Sequence, residues 1–362
     1  MTDVTADMMG GDKVVVRAGK PGEGTASPGE SSPTREQRPR RGRLVTIDPV
    51  LKHERQGRWS LRWLLLAFLL IPGIVIAVNF AVIFALEAFA SSRGETSLYE
   101  SAVTLENIAA GNGYAFVMLA LVGVGFAAPA MILGKMFRNR WWLALTYDAP
   151  FRWYNFVKAA SALAVLLMIA TAYGLLTTPE HYSATDVLSD PPPDYALWFG
   201  LGLLAILVQS FGEELLFRGL LPRILGTVIP IRFIAVGLVM LLFIGLHTSN
   251  PDVKIDLTFI MILFVVMEIL NFTILFRTRS IAATWGIHWI NNSFIFLLLS
   301  TEPGRMSSMV PFVYRDPVWS SGGSYLLNPA AYLEIGTGLL ILCAFLFWKH
   351  SPFYLPWHDE AQ

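Results

Sequence analysis

Apolar runs of bilayer length recur along most of this chain, and they constrain its fold more than any other feature. From about Leu61 onward eight such stretches follow one another, at 63–87, 113–134, 156–177, 195–216, 233–248, 257–276, 281–300 and 330–348. A helix needs roughly 17–25 predominantly apolar residues to cross a bilayer. Buried helices of soluble proteins seldom come eight in a row at this length. The fifth run is short and interrupted by Gly237 and Gly245, so its bounds are loose. The expectation is an all-α, polytopic transmembrane helical bundle of about eight spans over residues 59–350.

Composition agrees. Of 362 residues, 54% are hydrophobic and only 15% charged, where soluble domains carry about a quarter charged residues. The formal net charge is zero, so no global basic signal points to nucleic acid. The single cysteine, Cys343, lies inside an apolar run. It can form no intrachain disulfide and suggests no zinc-thiolate site.

Residues 1–58 are of another kind. Stretches such as GKPGEGTASPGESSPTREQRPRRGR offer too few apolar groups to offset the entropy of ordering, and read as a disordered basic tail. Arg38, Arg40, Arg41 and Arg43 could meet anionic lipid, but a solvated tail that only sets orientation is the simpler reading. Lys and Arg also gather after the second span (Lys135, Arg138, Arg140, Arg152), the fourth (Arg218, Arg223, Arg232), the sixth (Arg277, Arg279) and the eighth (Lys349). The acidic stretch from Glu180 to Asp194 has no Lys or Arg. Basic loops stay on the cytoplasmic side, so both termini, including a short tail at 351–362, are expected inside, in the cell membrane. Trp63, Trp141, Trp142, Trp153, Trp198 and Trp348 lie near span ends, as interfacial anchors do. The Gly pairs 123/125, 200/202 and 336/338 read as close helix-packing positions. No internal repeat, phosphate loop or nucleotide motif stands out.

Ionisable groups within the hydrocarbon are costly and mark function by default. The densest group is FGEELLFRGLL, residues 211–221. Neighbouring helical residues point about 100° apart, so Glu213 and Glu214 cannot serve one point equally. Arg218 lies four residues after Glu214, the favourable order for a helical ion pair. Arg218 then neutralises Glu214, and Glu213 is left as the candidate general base. Further groups are His247 in FIGLH, His288 and Asn292 in HWINN, and Glu268 with Asn271, the last two as supporting hydrogen-bond partners. At 1.5 Å per residue, Glu213 lies about 15 Å from Arg223, His288 about 12 Å from Ser280 and His247 about 22 Å from Arg232. That depth sets His247 apart unless the fifth helix is tilted or broken.

A glutamate with two histidines suits two kinds of hydrolysis. Glu213, His247 and His288 could hold a divalent metal such as zinc, which lowers the pKa of a bound water. Or the histidines orient a water while Glu213 takes its proton, and Asn292 stabilises the oxyanion. HExxH and GxSxG motifs are absent. A proton-coupled transporter could use the same residue types, but no inverted repeat or paired broken helices appear.

Residues 213–218 (EELLFR), FIGLH and HWINN resemble the EExxxR, FxxxH and HxxxN motifs of the CAAX protease and bacteriocin-processing (CPBP, or Abi) family, which includes the type II CAAX prenyl endopeptidases. The three occur in the family's order on successive spans, and the resemblance covers about 155–300. It implies a site of Glu213, His247, His288 and Asn292, with Glu214 and Arg218 supporting. It further implies an intramembrane endopeptidase acting on a membrane-associated or lipidated protein or peptide. The competing reading is a non-proteolytic membrane scaffold or bacteriocin-immunity protein.

Overall fold

The computed structural model describes residues 61–92, 113–138, 145–146, 150–191, 195–229, 231–248, 253, 256–302 and 310–357, all within the unit Val45–Gln362. The tail expected over 1–58, with Arg38, Arg40, Arg41 and Arg43, lies outside the described residues, as do Trp141, Trp142 and Arg140 and the side chains of Trp63, Lys135, Arg138 and Arg232.

Each of the eight apolar runs falls on a helix. These are α1 (Leu61–Ser92), α2 (Gly113–Arg138), α3 (Trp153–Thr177), α4 (Tyr195–Glu213), α6 (Arg232–His247), α7 (Leu257–Thr278), α8 (Ala282–Leu297) and α9 (Pro329–Phe347), with α5 (Leu221–Val228) continuing the line of α4. The molecule is an all-α bundle. By length and composition, four segments can cross a membrane: Trp153–Thr177, Tyr195–Gly226, Leu257–Thr278 and Pro329–Phe347. Leu69–Ala85, Leu119–Leu133 and Phe233–His247 are shorter apolar stretches. Large apolar side chains such as Leu69, Leu176, Leu333 and Leu340 stand exposed on the bundle's surface. In water such a surface would be an interaction or aggregation patch; in hydrocarbon it is ordinary.

Two kinds of contact fix the helices around the site. Gly123 of α2 and Gly212 of α4 face each other so closely that a Cβ on Gly212 would collide with the Gly123 carbonyl, and one on Gly123 with the backbone at Val208 and Gln209. Gly125 abuts the Asn79 side chain. The close-packing expectation holds at these positions. It fails at Gly200, Gly336 and Gly338, where nothing lies within 4 Å of an added Cβ, because those glycines point away from neighbouring helices. The second contact joins α8 to α4. Trp285 and Trp289, one turn apart, donate from Nε1 to the carbonyls of Leu207 (3.1 Å) and Leu203 (3.0 Å). Packing of Phe156, Phe211 and Trp285 rings completes this seam.

Between α4 and α5 the backbone opens into a π-helical stretch, Glu214–Leu220, in which Leu221 N–H reaches back five residues to Leu216 O. Pro222 follows at once. A proline has no N–H to give and crowds the carbonyl four residues earlier, so the wider turn falls where an α ladder could not continue unbroken.

Three short strands were not foreseen. β1 (Tyr182–Ala184), β2 (Leu299–Glu302) and β3 (Phe312–Arg315) form a sheet in the order β1-β3-β2. β1 pairs antiparallel with β3, and β2 parallel with it. The sheet ties the end of α3 to the end of α8 and the approach to α9. Of the short tail expected over 351–362, residues 351–357 are described. They turn back onto the bundle, Leu355 is fully buried, and its carbonyl accepts from Arg277 Nε (2.6 Å). The Arg277 guanidinium lies against the rings of Phe347, Tyr354 and Trp357.

Candidate active site

Four elements meet at one buried polar cluster: the end of α4 with its π-helical continuation, α6, α7 and α8. Glu213, Glu214, Arg218 and Glu268 are all buried. The adjacent glutamates diverge, as their helical spacing requires. Arg218 forms ion pairs with Glu214 on its own helix and with Glu268 of α7, and its guanidinium lies over the Phe243 ring of α6 at 5.0 Å. Asn271 adds a contact to Glu268 (3.4 Å). Glu268 and Arg218 thus lock α7 to α4. Three buried carboxylates and one buried guanidinium are gathered here.

His288 bridges the two glutamates. Its Nδ1 lies 2.9 Å from Glu214 Oε1 and its Nε2 3.3 Å from Glu213 Oε2. His247 approaches the same oxygen with Nε2 at 4.0 Å, while its Nδ1 lies 2.8 Å from the carbonyl of Phe243. A carbonyl only accepts, so Nδ1 of His247 carries the proton and Nε2 of the neutral ring is a bare acceptor. The Glu214 carboxylate selects the same tautomer of a neutral His288. Glu213 Oε2, buried and without a hydrogen-bond partner, therefore faces ring nitrogens that are acceptors when neutral. Converging acceptors suit a group that brings protons or positive charge, such as a water.

They also suit a divalent ion in kind. Two imidazoles and a carboxylate are common zinc ligands, and both Nδ1 atoms are held by acceptors in the way that orients metal-bound histidines. In spacing they fit less well. With ligand bonds near 2.0–2.1 Å the edge of a tetrahedral zinc sphere is about 3.3 Å, which Glu213–His288 matches and Glu213–His247 exceeds. Among the described residues no three His, Cys, Asp or Glu groups are gathered at metal-binding spacing.

The mismatch expected between the depths of Glu213 and His247 is removed, and the change is on the Glu213 side. Arg223 is not a surface marker: it is buried and donates to the carbonyl of Thr146, and its helix runs on to Val228. Glu213 is fifteen residues before Val228, and His247 fifteen after Arg232, where α6 begins. Counted from the true turn, the two lie level.

The sequence reading passed over Gln209. It sits one helical turn before Glu213, buried, and donates from Nε2 to Glu213 Oε1 (2.5 Å). Asn292 Nδ2 donates to Gln209 Oε1 (3.1 Å), and Asn291 Nδ2 to Asn292 Oδ1 (3.2 Å). Asn292 thus reaches the base through Gln209, not through an imidazole. The available signal was an amide four residues before Glu213 in an otherwise apolar run.

Residues 195–294 match the family described as type II CAAX prenyl endopeptidase Rce1-like. The match starts with α4 and ends just past Asn292, so it holds Glu213, His247, His288 and Asn292. It leaves out α3, which the expected core at about 155–300 had included. Over 292 residues the chain is 21% identical to a protein of Bacillus subtilis (strain 168) described as "Uncharacterized protein YyaK", covering 79% of this chain and 91% of that protein. No solved structure matches the chain. The resemblance carried by EELLFR, FIGLH and HWINN is thus shown over residues 195–294, in an integral membrane protein.

Proposed function

We propose that this chain is an intramembrane endopeptidase that hydrolyses a peptide bond of a membrane-associated, lipidated substrate, of the prenylated CAAX kind that the matched family is described by. The observation that carries the reading is the convergence of His247 and His288 Nε2 on Oε2 of buried Glu213, an oxygen that accepts no hydrogen bond.

In this mechanism a water is held between Glu213 and the two imidazoles. Glu213 takes one proton as the water oxygen attacks the scissile carbonyl carbon, and the proton passes to the leaving amine when the C–N bond breaks. The second N–H of Asn292 Nδ2, beyond the one given to Gln209, stabilises the oxyanion. Glu214 holds the His288 tautomer, and Arg218 with Glu268 fixes Glu214. The low dielectric of the site strengthens each of these interactions. Where a divalent ion such as zinc is bound, Glu213, His247 and His288 would hold it, and it would supply acidity to the bound water.

The test is cleavage of an internally quenched peptide, carrying a farnesylated cysteine three residues before its C-terminus, by the purified chain in phospholipid vesicles. The expected result is release of a three-residue fragment by the wild type and none by Glu213→Ala or His288→Ala. Full processing by either variant sinks the reading. Loss of activity on chelation, restored by zinc, assigns the metal-assisted route; indifference to chelators assigns water activation by Glu213 alone. The reading includes both termini on the cytoplasmic side of the cell membrane, an orientation that the Lys and Arg at the joins support. An epitope tag at either end that antibody reaches on intact cells contradicts that orientation.

A further inference from the structure

The geometry assigns to Gln209 the role of positioning residue for Glu213, at the inner end of a chain of three amides that runs from Asn291 through Asn292. The inference rests on the hydrolytic reading above and extends it to a residue outside the three motifs. Glu213 presents its two oxygens to different partners. Oε2 faces the imidazoles, while Oε1 accepts from Gln209 Nε2 at 2.5 Å. An ionised carboxylate has no proton to donate, so the amide nitrogen, not its oxygen, must face it. That choice leaves Gln209 Oε1 pointing to α8, where Asn292 Nδ2 donates to it at 3.1 Å. Asn292 Oδ1 in turn accepts from Asn291 at 3.2 Å. Each amide therefore has its orientation set by the next, and the dipoles align head to tail toward the carboxylate.

The arrangement has two consequences for chemistry. Glu213 is held against rotation about its last torsion, a soft one in a free glutamate, so Oε2 stays on the imidazole side. Asn292 has one N–H committed to Gln209, which fixes where the other points. A single buried glutamine thus couples the base on α4 to the oxyanion donor on α8. Gln209 itself need touch neither water nor substrate.

The experiment compares Gln209→Leu and Gln209→Glu with wild type, using the farnesylated quenched peptide in vesicles and Glu213→Ala as control. Both replacements keep about the size of glutamine, so a space-filling role survives them. Leu removes the donor and the acceptor; Glu keeps the acceptor for Asn292 but sets a carboxylate against Glu213. The expected result is a kcat lower by about 10- to 100-fold in both, the scale of a small misplacement of catalytic groups, with KM within about twofold. Folding is followed by size-exclusion profile and thermal unfolding, and Gln209→Glu stands in should Leu disturb the bundle. A folded variant of either kind that keeps its kcat within about twofold of wild type overturns the proposal, as does a rise in KM alone. Collapse of the fold in both assigns the Gln209 amide to holding the fold rather than the base, and overturns it too. If Glu213→Ala still cleaves, the hydrolytic reading itself fails; if only the Gln209 variants retain kcat, that reading stands and the positioning role falls.

Discussion

Arg218 is the residue on which the charge of the site turns. It is fully enclosed, its guanidinium spans Glu214 and Glu268, and Phe243 covers its face. Removing one member of a buried ion pair leaves the others charged and unpaired, which costs about 3–5 kcal/mol. Arg218→Ala is therefore expected to lose about that much stability in thermal or denaturant unfolding of the detergent-solubilised protein, and to lose activity with it. Arg218→Lys should not restore it, because an ammonium is a point charge and cannot span two carboxylates as a planar fork does. A variant with wild-type stability would show that the carboxylates are neutralised another way. Sequence spacing alone pointed to the Glu214–Arg218 pair, since i and i+4 share a helical face. Nothing in it tied Glu268 of α7 to Arg218, because a pair fifty residues apart leaves no spacing to read. Gln209 was passed over for a different reason: one uncharged amide costs little in a span and does not announce a role.

The helices themselves were legible, because hydrocarbon demands long uncharged runs and each of the eight runs became a helix. What lay between the runs was not. The strands of the β1-β3-β2 sheet have only three or four residues each, too few for an alternating pattern to emerge. The π-helical stretch leaves no mark in composition beyond Pro222. The Gly123–Gly212 crossing was half legible: Gly123 was singled out, while Gly212 was read only as part of FGEE. Since a Cβ on Gly212 meets backbone rather than a movable side chain, Gly212→Ala is expected to force α2 and α4 apart at a cost of about 1–3 kcal/mol. Because Glu213 is the next residue, activity should fall as well. Gly200→Ala, with open space around it, is the control: thermal unfolding should show loss only for the first.

The end of the bundle that carries the sheet is held by a second polar hub. Asp256 caps α7 through Phe259 N–H (3.3 Å) and accepts from Ser324 Oγ (2.6 Å) and Tyr325 N–H (2.8 Å), joining α7 to the approach of α9. Burial alone would raise its carboxyl, but these donors outweigh it and hold the group below the ordinary carboxylate range. A carboxylate depressed on folding stabilises the fold at pH values above its unfolded value, near 3.9, and that contribution is lost as the pH falls through the lower folded value. Wild type should therefore lose stability on acidification below about pH 4, and Asp256→Asn should start less stable at neutral pH and lose less. Melting curves at pH 7 and at pH 3 compare them; parallel losses would contradict the role given to Asp256.

The described residues form a bundle whose surface suits lipid and whose buried cluster of Glu213, Glu214, Arg218 and Glu268 lies where α4, α6, α7 and α8 meet. That the cluster works as a water-activating site is most directly tested by kcat/KM on the farnesylated peptide for wild type, Glu213→Gln and Glu214→Gln. Glutamine keeps the shape of each side chain but cannot take a proton. Loss of a general base predicts a fall of about 10²- to 10⁴-fold in kcat for Glu213→Gln, with the folded protein intact. Retention of wild-type kcat by Glu213→Gln would contradict the assignment of Glu213 as the base, whatever Glu214→Gln does.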